Sequence, residues 1–229
     1  MLAIAVFVCS YLLKKDAARR NINADIIYDL VFWTVLSGII GARIFYILLN
    51  LEVFLDDPIE IIMIQHGGLA YQGGFIFGLM ATVIFLKKNK LAFLPMADLV
   101  APYIALGHAI GRIGCFLNGC CYGRPVSWGI YVPGLHAHLH PTQLYEAVSL
   151  FIIFFILKGF RRMTLPAGQV FALYLVLAAL ERFVVENFRG DHDVLYWGFS
   201  IYQLVSLGIM AAGLALHVAI KFQKAGKTN

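Results

Sequence analysis

The chain has 229 residues, 61% of them hydrophobic and only 14% charged, where ordinary soluble domains carry about 25% charged residues. That balance excludes a soluble globular protein and points to a chain that lives in a bilayer. The formal net charge of +5 calls for no nucleic-acid partner, because loops facing anionic lipid account for it.

Apolar runs follow one another near residues 1–13, 25–49, 68–86, 95–117, 142–160, 167–188 and 197–220. Most approach the roughly 20 residues that a spanning helix needs. The expected fold is all-α: a polytopic membrane protein with seven passages, the first one short, forming a single domain over residues 1–229. The first run is followed at once by Lys14, so it reads either as a re-entrant stub or as a chain start that lacks preceding residues. With no basic stretch before it and no A-x-A-like site after it, it does not read as a signal peptide. The segment 116–141, with Gly, Pro, Trp and three His, is the one connection large enough to cap the bundle.

Thirteen of the 18 basic residues, including all nine lysines, fall in four short segments: 14–20, 87–90, 158–162 and 221–227. Positive charge gathers in cytoplasmic loops, which predicts an N-terminus outside and a C-terminus inside. The opposite loops are acidic, with Glu52, Asp56, Asp57 and Glu60 before the third long run and Asp191 and Asp193 before the last.

The other five basic residues, Arg43, Arg112, Arg124, Arg182 and Arg189, break this pattern, and all are arginine. An arginine inside a span marks a functional site by default, and its planar fork grips phosphate through paired hydrogen bonds. Snorkelling to headgroups is the bland alternative, but lysine snorkels equally well and none occurs on that side. Given the topology, Arg43, Arg112, Arg182 with Glu186, Glu146, and the glycines Gly73 and Gly74 all lie within two or three turns of the outer interface. An anionic lipid headgroup is the expected ligand. Arg182 and Glu186, spaced i,i+4, either neutralise each other on one face or present an oriented guanidinium to that lipid.

The segment 107–124, GHAIGRIGCFLNGCCYGR, is the densest. Gly107, Gly111 and Gly114 suit close helix approach, Gly119 and Gly123 suit a turn, and Asn118 sits where helix gives way to loop. The run GGLAYQGG at 67–74 either packs helices or offers backbone amides to an oxyanion. Cys115, Cys120 and Cys121, with His108, His136, His138 and His140 near in sequence, admit packing, a disulfide or a metal. Their spacing is not a paired C-x2-C, so they are expected to pack, with no metal and no cofactor. HPTQLYE at 140–146 reads as a helix start with Pro141 in the first helical position. Either this start is an N-terminal cap with Tyr145 as an interfacial anchor, or His140, Gln143 and Glu146 also face the headgroup layer, with capping as the first duty of His140 and Glu146.

These segments together resemble the bacterial phosphatidylglycerol–prolipoprotein diacylglyceryl transferases. The resemblance runs through YLLKKDAARRNI (11–22), GARIFYILLN (41–50), GGLAYQGG (67–74), ADLVAPYIALGHAIGRIG (97–114), HPTQLYE (140–146) and ERFVVENFRGD (181–191). It implies a monomeric, multi-pass inner-membrane enzyme that moves diacylglycerol from phosphatidylglycerol to the lipobox cysteine of a secreted lipoprotein precursor, releasing glycerol phosphate. By the resemblance, Arg112 and Arg182 hold the lipid phosphate, Glu186 fixes Arg182, Asn118 completes the site, and His140 joins the catalytic set. Arg43, Gln72, Gly73, Gly74, Gly111, Gly114, Gly123, Arg124, Tyr145, Glu146 and Arg189 are the expected substrate-contacting residues. The chain departs from the family pattern at three places: Gln72 stands for a His, Cys115 for the Asn of G-R-x-G-N, and Cys120 or Cys121 for a Glu. A glutamine takes no proton at neutral pH, so a base at Gln72 is excluded. Deprotonation of the acceptor thiol then falls to His140, Glu146 or Glu186, or needs no protein base, since some thiolate exists near neutrality. The competing expectation is a phospholipid-binding or sorting relative without turnover, or a lipid transferase with another acceptor.

Overall fold

The computed structural model describes residues 1–20, 22–56, 58–63, 67–190, 194–196 and 198–225. Asp57, Asp191 and Asp193, three of the acids expected in outer loops, lie outside the described residues. The helices follow the apolar runs: α1 (Leu2–Ala18), α2 (Ala24–Leu49), α3 (Leu51–Asp56), α4 (Tyr71–Lys88), α5 (Phe93–Leu117), α6 (Thr142–Phe160), α7 (Gln169–Glu186) and α8 (Ile201–Ala225). Four of them, α2, α5, α6 and most of α8, are long and apolar enough to cross a membrane. The protein is thus a mostly helical, multi-pass membrane protein. Helix α7 is as long as α4 but carries Glu181, Arg182 and Glu186 in its last two turns, so the charges that interest us are what lower its apolarity.

The strictly all-α expectation is corrected in the cap. Residues 125–139 form a hairpin, with β1 (Pro125–Val132) antiparallel to β2 (Ala137–Leu139), Ile130 facing Leu139 and Val132 facing Ala137. A second small pair joins β3 (Val194–Tyr196) to β4 (Phe199–Ser200). The run VSWGIYV is rich in β-branched and aromatic residues, the composition that pairs well in a pleated ribbon.

The chain forms two compact units, Lys14–Phe93 and Met1–Leu13 with Leu94–Asn229. In the first, α2 and α4 pack through small residues. A Cβ on Gly73 would strike the Gly41 carbonyl and Phe45, one on Gly41 would enter the Phe77 ring, and one on Gly74 would lie 3.3 Å from the Gly38 carbonyl. The hydroxyls of Thr34 and Thr82 meet at 2.8 Å across the same pair. Side chains this small let membrane helices approach backbone to backbone.

In the second unit the core is built from Leu99, Ala101, Ala105 and Ala109 of α5 with Leu150 and Leu157 of α6 and Ala172 of α7. The start of α7 has no cap of its own. Asp98 of α5 supplies one, its carboxylate accepting from Gly168 N at 2.6 Å and Phe171 N at 2.7 Å, which satisfies donors that a helix start leaves open. Of the three glycines on α5, Gly107 meets Cys9 Sγ at 3.4 Å and Gly114 meets the Met1 Cβ at 2.8 Å, measured from a built Cβ. Gly111 faces open space, so it is not a packing position among the described residues.

Candidate functional site

Glu146 is the hub of the second unit. It stands on the second turn of α6 with no exposed surface, where an unpaired carboxylate would be strongly disfavoured. Three arginines answer it. Arg112 Nε, from the last two turns of α5, pairs with Glu146 Oε2. Arg182 Nη1, from the end of α7, and Arg189 Nη1, just past that end, each lie 3.3 Å from Glu146 Oε1. The expectation that Glu146 mainly caps its helix is therefore corrected. Pro141 is the N-cap rather than the first helical residue, no side chain caps the start of α6, and Glu146 turns inward.

A second carboxylate extends the array. Glu186 Oε2 pairs with Arg182 Nη2 at 2.8 Å, the i,i+4 contact along α7. Its other oxygen accepts from Ser200 Oγ at 2.7 Å. Gln203 steadies that serine: its Oε1 accepts from Ser200 N at 3.0 Å, and its own backbone N–H donates to Ser200 Oγ at 3.3 Å. Arg182 thus binds two carboxylates with the two prongs of one guanidinium. One turn deeper, Glu181 accepts from Ser149 Oγ at 3.2 Å.

The strand-like strap 123–124 ties this array to the cap. Gly123 N donates to His140 O at 2.9 Å, Arg124 N to Phe188 O at 2.9 Å, and His140 N to Arg124 O at 3.1 Å. A Cβ on Gly123 would collide with Phe188 O and lie 2.7 Å from His140 and Thr142, so the strap passes here only with glycine. Arg124 Nε donates to the Arg189 carbonyl at 3.0 Å. Arg124, Glu186, Asn187, Arg189, Gly198, Ser200 and Gln203 line a cavity of about 360 Å³. His140 lies beside it in an aromatic box, edge-on to Trp128 at 5.0 Å and Phe188 at 5.4 Å, with Nδ1 3.1 Å from the Tyr145 hydroxyl.

The charge balance decides what this array can do. Four guanidiniums, of Arg112, Arg124, Arg182 and Arg189, gather around the carboxylates of Glu146 and Glu186, a surplus of two positive charges, and of one if Glu181 is counted. In a partly buried setting such a surplus attracts an anion. Planar guanidiniums held at fixed angles by their carboxylates favour a phosphate with several oxygens to bond.

Other residues singled out in the sequence go elsewhere. Arg43, 6% exposed, donates with Nε to Ile61 O at 3.1 Å, with Nη1 to Gly67 O at 2.6 Å and Gly68 O at 3.0 Å, and with Nη2 to Glu60 O and to Met63 O at 3.4 Å. All five of its N–H donors thus meet backbone carbonyls, and its face lies over the Phe54 ring. It holds a loop of its own unit. Gly67 and Gly68, at φ +89° and +77°, are the residues that can turn their carbonyls to it. Gly73 and Gly74 pack α4 on α2, and Gln72 is exposed at the start of α4. Asn118 is exposed in the turn after α5, with its backbone N–H bonded to Gly114 O at 3.0 Å, and its side chain makes no hydrogen bond among the described residues. Cys115, Cys120 and Cys121 are half-buried free thiols.

Sequence reasoning missed Ser200 and Gln203, which read only as polar residues opening the last apolar run. Their i,i+3 spacing at a helix start was the available signal. It also missed Ser149 and Glu181, hidden within otherwise apolar helices.

Comparison with known proteins shows the family. The family model for prolipoprotein diacylglyceryl transferase matches residues 1–219. The chain is 33% identical to the phosphatidylglycerol–prolipoprotein diacylglyceryl transferase of Clostridium tetani over 98% of its own length and 92% of that protein's. It is 37% identical to the protein of the same name from Finegoldia magna, covering 97% and 90%, and 35% identical to that of Geobacter sulfurreducens, covering 99% and 91%. With a buried carboxylate ringed by arginines on its helices and a family match along nearly its whole length, the chain belongs to the prolipoprotein diacylglyceryl transferase family.

Proposed function

We propose that this protein is a diacylglyceryl transferase that takes phosphatidylglycerol as donor and the lipobox cysteine of a lipoprotein precursor as acceptor, releasing glycerol phosphate. The observation that carries this reading is the convergence of Arg112, Arg182 and Arg189 on the buried carboxylate of Glu146. In the reaction the acceptor thiolate attacks a glycerol carbon of the lipid. A C–S bond forms, the C–O bond to phosphate breaks, and its electron pair leaves on the phosphate ester. The leaving group gains negative charge, so donors already aimed at it lower the barrier.

Arg112, Arg182 and Arg189 would hold the phosphate, with Glu146 yielding part of its share of their hydrogen bonds as the anion arrives. Glu186, kept in place by Ser200, orients Arg182. With one oxygen on Arg182 and the other on Ser200, that carboxylate serves as orienter and not as proton acceptor. His140, with its ring held by Tyr145 and two other aromatics, positions the strap that carries Arg124.

The lysine distribution supports an N-terminus outside and a C-terminus in the cytoplasm, with seven passages through the bacterial inner membrane. In that orientation the arginine array would face the outer leaflet, where secreted precursors arrive. The whole of residues 1–229 would act as one transferase domain and as a monomer.

Incubating the purified protein with phosphatidylglycerol and a lipobox peptide tests this directly by mass spectrometry. The expected product is the peptide carrying a thioether-linked diacylglyceryl group, with glycerol phosphate released in equal amount. A peptide that stays unmodified while the protein binds the lipid would overturn the reading.

A further inference from the structure

Cys115 lies on the last turn of α5, after which the chain reverses sharply. Gly119 at φ +68° and Cys121 at φ +64° make the turn, and Cys120 N donates to Cys115 O at 3.1 Å. The left-handed conformation is costly for a residue with a side chain such as Cys121, and three packing thiols would not require it. Its result is that the three sulfurs all lie within 4.8 Å of one another. A tetrahedral zinc with Zn–S bonds of about 2.3 Å spaces its sulfurs about 3.8 Å apart, so closure asks for shifts of about 1 Å or less.

The reversed loop is also anchored from outside. Thr142 Oγ1 donates to Cys121 O at 2.7 Å and Gln143 Nε2 to Cys120 O at 2.5 Å. Gln143 is 1% exposed, and its amide oxygen has no partner among the described residues. Metal centres rely on such backing to fix their ligands. Three protein ligands with the fourth position open are the arrangement of catalytic rather than structural zinc.

The location is the decisive part. Cys115 follows Arg112 by three residues on α5, and Gln143 precedes Glu146 by three on α6. Two separate helices therefore set the thiol cluster one turn, about 4.5 Å of rise, from the paired Arg112 and Glu146. A nucleophile must stand about 3–3.5 Å from the carbon it attacks, and that carbon is joined to the phosphate by a single oxygen.

We propose that Cys115, Cys120 and Cys121 bind a zinc ion whose fourth position takes the sulfur of the acceptor cysteine. The binding of the metal stands on this geometry alone, while the identity of the fourth ligand rests on the proposed transfer reaction. On coordination the acceptor thiol gives its proton to water, because a thiol bound to zinc is held as thiolate. Its sulfur then forms the C–S bond as the C–O bond to phosphate breaks, and the electron pair departs on the phosphate ester. Zinc is neither oxidised nor reduced. With four thiolates the centre carries two negative charges, beside an array in which guanidiniums outnumber carboxylates.

Elemental analysis of the full-length protein, purified under reducing conditions in lipid nanodiscs, should find about one zinc per chain, and the Cys115→Ser/Cys120→Ser/Cys121→Ser protein should have lost it. Should the triple variant fail to fold, exchange of cobalt(II) into the wild-type protein gives the second readout. The sulfur-to-cobalt absorption of a tetrahedral thiolate site should appear, and should change when a lipobox peptide is added but not when its cysteine is replaced by serine. Zinc-free protein that transfers diacylglycerol at full rate, a disulfide within the cluster of the active protein, or metal retained by the triple variant would each overturn the site. A cobalt spectrum indifferent to the peptide overturns the assignment of the fourth ligand. If metal and peptide bind as described but no diacylglyceryl product forms, the zinc site stands and the transferase reading fails.

Discussion

Arg182 and Glu146 are the residues on which the chemistry turns. The two prongs of Arg182 bind different carboxylates, Glu146 at 3.3 Å and Glu186 at 2.8 Å, a bridge that the compact ammonium of lysine does not reproduce. Losing one charge-assisted bond costs about 1.5–3 kcal/mol, so Arg182→Lys should lower the transfer rate roughly ten- to a hundredfold in a folded protein. Glu146→Gln leaves three guanidiniums around a neutral amide. Breaking a buried pair in this way costs about 3–5 kcal/mol, so the variant should melt at a clearly lower temperature. Phosphatidylglycerol should raise its melting temperature by more than it raises that of the wild type, because the lipid phosphate replaces the lost charge. Equal lipid stabilisation in the two proteins would mean that phosphate does not reach Glu146. Ser200→Ala removes the 2.7 Å bond to Glu186, and a folded variant with slower transfer and unchanged zinc content is expected. His140→Gln should keep most of the activity, since the ring is placed by aromatic contacts; an inactive variant would make His140 the base.

At the scale of elements, the helices were legible because burial in lipid demands long apolar runs, and charged loop segments separate those runs. Arg112, Arg182 and Glu186 were legible for the complementary reason, as charges where none is tolerated without purpose. What failed were readings that depend on direction rather than composition. Glu146 sits near a helix start, where capping is the common duty, and only the packed structure shows that it turns inward to three arginines. Arg43 looked like Arg112 in sequence, but its five donors meet carbonyls of residues 60–68. The glycines of 67–74 likewise serve the approach of α4 to α2. Arg43→Ala should therefore lower thermal stability and open the backbone at residues 60–63 and 67–68 to proteolysis, while lipid affinity per folded molecule is retained. A variant that is stable but loses lipid binding would return Arg43 to the substrate site. Gly73→Ala, whose methyl would strike the Gly41 carbonyl, should destabilise the same pair of helices by steric overlap. The cysteine cluster escaped sequence reading because its ligands span only seven residues, and a backbone reversal at Gly119 and Cys121, not a repeated spacing, brings them together. Two of the three departures from the family motif, at Cys115 and at Cys120 or Cys121, meet in that cluster.

For the whole molecule, the positions of its charges join topology to function. All nine lysines lie in the segments expected in the cytoplasm, while the arginine array gathers at the last turns of α5 and α7 and the first turns of α6. Single cysteines placed at Lys88 and Glu52, with the native thiols blocked beforehand, should react with an impermeant reagent only from opposite sides of the membrane. Reaction of both from outside would invert the assignment of every site residue to the outer leaflet. The central claim, that guanidiniums clustered on Glu146 grip the lipid phosphate for diacylglyceryl transfer, is tested most directly by single-turnover transfer to a lipobox peptide in nanodiscs containing phosphatidylglycerol. Wild-type protein is compared with Arg112→Lys, Arg182→Lys and Arg189→Lys, each checked for folding. Each variant should slow at least about tenfold, whereas wild-type rates in all three would contradict the claim and leave these arginines as structural charges.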